Sequence, residues 1–154
     1  MKIVEVNNEK LKKKFIDFPH DLYAEDPNYV PEIHLAQKEL MSHQKNPFFQ
    51  HSKVQLYLAM RDQKIVGRIA AIRNNNYNEY IETNVGFFGF FDVVEDYDVA
   101  KALLDQAADW IKAEHLDAMI GPTNFTTNDT AGLLVDGFNE PPTVMMPYNK
   151  AYYA

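Results

Sequence analysis

No cysteine occurs among the 154 residues of this chain, which excludes disulfide bonds, thiolate nucleophiles and cysteine-based metal sites. Five histidines are present, but they form no short metal-ligand spacing, and no metal site is predicted. The six glycines build no Walker-type or dinucleotide-binding loop, and no serine lies in a nucleophile elbow. The sequence therefore lacks the short motifs by which many enzymes are identified.

A surplus of basic residues is also missing. The chain has 15 Lys and Arg against 22 Asp and Glu, which gives a net charge of −7 and a pI near 5.1. This charge disfavours binding to nucleic acid or to an anionic membrane, because no excess of cations is available to displace counterions. The basic cluster at residues 10–14 is interpreted as a solvated helix face. With no signal segment and no apolar run of about 18 residues, a cytoplasmic protein without a membrane partner is expected.

The residues that are present predict one globular domain over residues 1–154, since 46% are apolar and 13% are aromatic. The strongest pattern covers residues 84–124. A phenylalanine-rich run that is apolar on both faces predicts a central strand. Apolar residues spaced three and four apart over residues 99–111 predict a helix, with Asp98 as its N-cap. Residues 118–121 predict a short strand, so the unit is interpreted as two parallel strands joined by a crossover helix.

Other segments predict two N-terminal helices, a hairpin and two further short strands. The predicted strands are residues 2–6, 54–60, 64–72 and 144–146. The first helix begins after Asn7 or Asn8 and should kink or end near Pro19. The second covers residues 31–42. Its predicted apolar face consists of Ile33, Ala36 and Leu40. Residues 74–76 are interpreted as a loop, and residues 77–82 are too polar to assign.

Residues 122–142 are rich in Asn, Thr, Gly and Pro and predict a long connection, a feature that is often functional. The apolar residues expected to pack it against the core are Leu133, Leu134, Val135 and Phe138. The connection follows a strand, and ligands of open sheets often bind where strands end. Elsewhere, the adjacent pair His20 and Asp21 is interpreted as structural, because neighbouring helical residues point in different directions. Arg68 could hold an anion. More often, the aliphatic part of such an arginine packs against the sheet and its guanidinium group reaches water.

The order of these elements resembles the GNAT superfamily of N-acetyltransferases. The phrase DQKIVGRIAAI resembles the second hairpin of that superfamily. The phrases that resemble a poorly characterised bacterial family of GNAT-related proteins are IDFPHDLYAEDPNYVPE, NPFF, VGFFGFFD, GPTNFTTNDTAGLLVDGF and PPTVMMPYN. The resemblance implies a mixed α/β (α+β) fold with a central mixed sheet flanked by helices. It also implies one further helix and strand after the sixth strand, so the domain at residues 1–154 is expected to be incomplete at its C-terminus. An uncovered sheet edge would then favour a homodimer.

The resemblance further implies acetyl-CoA or another acyl-CoA as co-substrate and a small-molecule amine as acceptor. The pantetheine arm would lie along Phe91, Asp92, Val93 and Val94, and the pyrophosphate would face Asp98 and Val99. The implied catalytic residues are Tyr153 or Tyr152, as the acid, and Asn124, which could equally cap the loop backbone. The polar connection at the end of the short strand supplies Asn128 and Asp129, which are the predicted substrate-binding residues.

The sequence departs from the superfamily where the pyrophosphate is expected. The connection at residues 94–98 contains no glycine and carries the acidic residues Glu95, Asp96 and Asp98. Two functions therefore remain open. One is an acyl-CoA-dependent N-acyltransferase that works by direct attack of the amine. The other is a non-catalytic GNAT-like module that binds a ligand or partner within a larger protein.

Overall fold

The computed structural model describes residues 1–153, which form a mixed five-stranded sheet with helices packed on both faces. The strands are β1 (Lys2–Glu5), β2 (Ser52–Arg61), β3 (Lys64–Asn74), β4 (Val85–Val93) and β5 (Ala118–Ile120). The helices are α1 (Glu9–Leu22), α2 (His34–Leu40), α3 (Asn75–Ile81) and α4 (Tyr97–Ala113), with 3₁₀ turns at Pro47–Gln50 and Ala151–Tyr153. None of the helices in the described residues is long and apolar enough to cross a membrane.

The sheet follows the order β1-β2-β3-β4-β5, in which β1 to β4 are antiparallel and β4 is parallel to β5. The predicted mixed architecture, its hairpin and its parallel pair are confirmed. Side chains of β3 alternate between the two faces, as the pleat requires. Ala70 and Ile72 pack with α1, whereas Ile69 and Ala71 pack with α4, and all four are fully buried.

Strand β4 contains a bulge close to its C-terminal end. Arg68 of β3 pairs with Asp92, but Ala70 pairs with Gly89, so β4 has an extra residue between these two pairs. Phe90 lies in this bulge with a φ of 47°, a left-handed conformation that is uncommon for phenylalanine. The bulge bends the end of β4 next to the place where β5 stops.

Helix α1 continues past Pro19 to Leu22, so the prediction of an end near the proline is only approximate. A proline inside a helix leaves the carbonyl four residues earlier without its N–H partner. Here that carbonyl belongs to Phe15, and it accepts a hydrogen bond of 2.8 Å from Nη1 of Arg68. A side chain from the sheet therefore satisfies the backbone group that Pro19 leaves free.

Several local predictions were wrong. The segment interpreted as a loop at residues 74–76 opens α3, because the side chain of Asn74 caps that helix by accepting from the N–H of Tyr77 at 3.1 Å. Helix α2 begins at His34, three residues later than predicted, and Ile33 lies before it with 72% of its surface exposed. Residues 144–146 form no strand in the described structure, since residues 144–145 are a turn.

The long connection packs differently from the prediction. Leu133 and Val135 are exposed, whereas Leu134 and Phe138 are partly buried. The connection is instead held to the core by Phe125, which is 1% exposed and stacks on another buried phenylalanine at 5.3 Å between ring centres.

Candidate active site

A cleft opens where β4 and β5 part. Their backbone pairing covers only Val85 to Phe87 on β4. One further bond joins the N–H of Thr123 to the carbonyl of Phe88 at 2.8 Å. At Gly89 the two segments touch so closely that a Cβ would lie 1.7 Å from the carbonyl oxygen of Thr123. From Phe90 onward, the edge of β4 faces side chains rather than a neighbouring strand.

Asn124 bridges the two sides of this cleft. Its Oδ1 accepts a hydrogen bond of 2.8 Å from the N–H of Phe90 in the bulge, and its own N–H donates to the carbonyl of Thr130 at 2.9 Å. Asn124 also lines a cavity beside the cleft. The side chain thus holds the bulged backbone in place while it contacts the space where a ligand could enter.

The two C-terminal tyrosines contact the end of β4. The N–H of Val93 donates to the hydroxyl of Tyr153 at 2.6 Å, and the carbonyl of Val93 accepts from the hydroxyl of Tyr152 at 2.6 Å. The Tyr153 hydroxyl also approaches that carbonyl at 3.2 Å. The structure therefore brings both candidate acids to the strand that was expected to hold the pantetheine.

Asp92 is the centre of a buried polar network. Its carboxylate accepts 2.7 Å and 3.0 Å hydrogen bonds from Nε of Arg68 and the hydroxyl of Tyr23. The Tyr23 hydroxyl lies 3.4 Å from that of Tyr153, which links the network to Val93. The guanidinium of Arg68 packs 4.9 Å from the ring centre of Phe15 and is buried, so the expectation that it reaches water was wrong.

Burial raises the pKa values of the tyrosines near Asp92 and Val93. Desolvation, followed by the charge of Asp92, raises the pKa of Tyr153 well above its usual value and raises that of Tyr152 to about 12. Desolvation and Asp92 also raise the pKa of Tyr23 far above neutrality. Each hydroxyl can therefore donate a hydrogen bond at physiological pH.

The start of α4 is occupied by its own cap. The N-cap is Asp96, not Asp98 as predicted, and its Oδ1 accepts from the N–H groups of Asp98 and Val99 at 3.0 and 3.3 Å. Asp96 also pairs with Arg61 at 2.8 Å, and this contact lowers the pKa of the Asp96 carboxyl. The amides expected to face a pyrophosphate thus already donate to a carboxylate.

The candidate substrate residues in the long connection differ in position. Asp129 lines the cavity, but its Oδ2 accepts from Oγ1 of Thr126 at 2.7 Å and so stabilises its own loop. Asn128 is exposed and lies outside the cavity lining. Phe91 lines the cavity. The N–H of Val94 donates to the carbonyl of Val66 at 3.0 Å, so this group is already paired with β3.

The cavity has a volume of about 730 Å³ and lies between α1, the segments at residues 29–33 and 142–149, and the end of β4. Its polar lining includes Tyr23, Arg68 and Asp92. Tyr148 packs edge-on against Tyr23 at 5.1 Å between ring centres. Hydrogen bonds from Lys150 and Tyr148 lower the pKa of Asp26 to about 2, which ties the C-terminal segment to the turn after α1.

His20 lies in the same cavity wall, although the sequence suggested only a structural role. It stacks on His34 with 4.2 Å between ring centres, and His34 contacts Asp17 at 3.1 Å. Burial lowers the pKa of His20 below its usual value, and its Nε2 has no hydrogen-bond partner among the described residues. No group of three or more His, Asp or Glu side chains in residues 1–153 could hold a metal ion.

Tyr23, Arg68 and His20 were not among the predicted site residues. One signal was available: Ile16, His20 and Tyr23 are spaced four and three residues apart, as on one face of a helix that ends at Leu22. The bond between Tyr23 and Asp92 spans 69 residues and had no local signal.

Two curated proteins match nearly the whole chain. Protein YghO of Escherichia coli K12 is 37% identical over 147 residues, covering 96% of this chain and 37% of that protein. A bacterial ceramide synthase of Caulobacter vibrioides is 34% identical over 153 residues, covering 99% of this chain and 40% of that protein. The chain thus spans about two-fifths of the length of these relatives. No protein-family model matches it.

Solved structures identify the fold. A GNAT-family acetyltransferase from Staphylococcus aureus superposes with a TM-score of 0.56 at 22% identity, covering 80% of this chain and 73% of that chain. The chain therefore has the GNAT fold, as the sequence resemblance predicted.

Proposed function

We propose that this chain is the acyl-transfer domain of an acyl-CoA-dependent N-acyltransferase, in which an amine attacks the thioester directly. The observation that carries the proposal is the junction at Asp92 and Val93. On one side of it lies a cavity with a buried carboxylate, and on the other lies the edge of β4 beyond its pairing with β5. A donor and an acceptor bound on these two sides would meet at neighbouring residues.

The donor fits the edge of β4 through its amides. The N–H and carbonyl of Val93 both face polar groups at the cleft, here the hydroxyls of Tyr153 and Tyr152. The amide groups of a pantetheine arm can take the place of those hydroxyls and form the same two hydrogen bonds with Val93. The pyrophosphate is not placed at the start of α4, because Asp96 occupies its amides and adds repulsion of about 1 kcal/mol at 4 Å even in water.

The reaction uses groups at the junction. The lone pair of the amine nitrogen attacks the thioester carbon, the carbon–sulfur bond breaks, and sulfur leaves with the bonding electrons. The ammonium form of the amine first gives one proton to water, which frees this lone pair. The nitrogen loses a second proton to water after the attack, and the thiolate takes one proton from the Tyr153 hydroxyl, which is reprotonated by water. Asp92 accepts a hydrogen bond from the attacking amine, and the protonated hydroxyl of Tyr153 donates to sulfur as it leaves.

Two further observations support an amine acceptor. The relative named ceramide synthase matches 99% of this chain, and making a ceramide joins an acyl group to an amine. The net charge of −7 attracts a cationic amine to the protein surface.

A non-catalytic ligand-binding module is the second candidate. It is favoured by the start of α4, where the Asp96 cap replaces the anion that a transferase would bind there. It is also favoured by Val93, whose backbone groups are already paired with the chain's own tyrosines.

An acyl-transfer assay distinguishes the two candidates. The purified protein is incubated with acetyl-CoA or dodecanoyl-CoA and a primary amine, and free thiol and N-acyl product are quantified together. We expect equal amounts of both, and a fall in kcat of about 10- to 100-fold in Tyr153→Phe. Tyr152→Phe should have a smaller effect, because the Tyr152 hydroxyl donates to the Val93 carbonyl and, unlike Tyr153, does not contact the network around Asp92 through Tyr23.

Tyr80→Phe is the matched control, since Tyr80 lies on α3 and is 86% exposed. Its rate should equal that of the unmodified protein. If no amine yields product above the uncatalysed rate with either donor, the transferase assignment fails and the binding module is supported.

A further inference from the structure

We propose that the cavity binds a primary amine with a long unbranched alkyl chain, with the amino group at Asp92 and the chain along an apolar wall at the mouth. The inference rests on the proposed N-acyl transfer and adds the class of acceptor. It follows from the separation of polar and apolar groups within one cavity.

The inner end of the cavity is polar. Asp92 is 8% exposed and is held in one orientation by Arg68 and Tyr23. These two bonds use one lone pair on each carboxylate oxygen, so further acceptor sites remain for an amine. The buried Nε2 of His20, which has no partner in the described structure, lies in the same wall. This end suits a small polar head group with N–H donors.

The mouth of the cavity is apolar and open to water. We call its six large side chains the apolar wall: Val30, Ile33, Leu133, Val144, Met145 and Met146. Every one of them is at least 40% exposed, and Val144 is 91% exposed. They come from three separate segments of the chain, yet all line the same cavity. Exposed apolar groups gathered in this way indicate a binding surface rather than scattered surface residues.

The form of the wall suits an alkyl chain. Two methionines have flexible, polarisable side chains that adapt to an irregular apolar ligand. A cavity of about 730 Å³ is in the range that encloses a whole drug-sized ligand, far more than a two-carbon amine would fill. A long chain covers the exposed wall while its amino group reaches Asp92.

The alkyl chain is assigned to the acceptor rather than to the donor. Tyr152 and Tyr153, which mark the proposed path of the pantetheine at Val93, are not part of the cavity lining. The apolar wall instead shares its cavity with Asp92, and Val93 is not part of that lining.

The test compares 1-aminoalkanes of two, six and ten carbons, in turnover with acetyl-CoA and in calorimetric binding without a donor. We expect kcat/KM and affinity to rise roughly fourfold for each methylene that enters the wall. 1-Decanol should bind at least tenfold more weakly than 1-aminodecane, because it lacks the charge that Asp92 attracts. Equal binding of the two would overturn the placement of the amino group.

The double variant Val144→Asn/Met146→Gln should lose most of the dependence on chain length. Ile81→Asn is the control, since Ile81 is 50% exposed on α3 and lies outside the cavity, and it should keep the full dependence. Equal loss in both variants would contradict the assigned wall.

The outcomes separate this inference from the proposed function. If binding rises with chain length but no amine is acylated, the cavity assignment stands and the transferase proposal fails. The rate of acylation could instead be independent of the length of the amine and depend on the length of the donor's acyl group. In that case the apolar wall binds the acyl group of the donor, and the inference is overturned. No change of binding or turnover with length overturns it as well.

Discussion

Replacement of Arg68 by alanine is expected to lower the free energy of unfolding by about 3–5 kcal/mol. The substitution leaves the buried Asp92 carboxylate without its cation and the Phe15 carbonyl without the donor that Pro19 cannot supply. Uncompensated buried charge is among the most destabilising changes in a core. Urea unfolding at pH 7, followed by circular dichroism, measures the effect.

Arg61→Ala provides the comparison, because Arg61 pairs with Asp96 at the surface and its side chain is 43% exposed. Exposed ion pairs contribute about 0–1 kcal/mol, so this variant should remain close to the unmodified protein. Equal losses in the two variants would show that the Arg68–Asp92 pair is not the buried centre of the site.

Gly89→Ala is expected to force the cleft apart and to cost about 3 kcal/mol or more. The new methyl would lie 1.7 Å from the carbonyl oxygen of Thr123, and the atom it meets is backbone that cannot rotate away. The movement of Thr123 would also withdraw Asn124 from the N–H of Phe90. We expect a lower unfolding midpoint and loss of acyl-CoA binding in the same variant.

Gly86→Ala is the matched control on the same strand. Its methyl would meet the side chain of Ile111 at 2.8 Å, which can change its conformation, so a cost nearer 1 kcal/mol is expected. If Gly89→Ala were tolerated as well as Gly86→Ala, the close approach of Thr123 to β4 would be contradicted.

The sequence was sufficient for the central unit of the fold because its signals are local. The apolar run of β4, the periodicity of α4 and the short β5 are each set by neighbouring residues, and their parallel arrangement follows from the crossover rule. Helix α3 was missed because its seven residues bury no side chain completely, so no apolar pattern marks it. Its cap, Asn74, looked instead like part of a polar loop.

The site was less accessible from the sequence than the fold. The resemblance selected Tyr152, Tyr153 and Asn124, which the structure places at the end of β4. It gave no indication of Tyr23 or of the role of Arg68, since their bonds to Asp92 cross 69 and 24 residues. The N-cap of α4 was placed two residues late, although Asp96 and Asp98 are both acceptable caps and only the backbone geometry distinguishes them.

The structure explains why the connection before α4 is acidic and has no glycine. Asp96 caps the helix and pairs with Arg61, so the N–H groups of Asp98 and Val99 are already paired and are not available to bind an anion. Any donor must therefore gain most of its binding energy from the backbone of β4 and from its acyl and pantetheine groups, and little from its phosphates.

Titration of the purified protein with acyl-CoA tests the central claim most directly. With 1 mM acetyl-CoA or dodecanoyl-CoA and a Kd near 10 μM, the account predicts stabilisation by about 2.7 kcal/mol and a rise of several degrees in Tm. The same titration should displace the Tyr152 and Tyr153 hydroxyls from Val93, which changes tyrosine fluorescence. Unchanged Tm and fluorescence at millimolar concentrations of both donors would contradict the account.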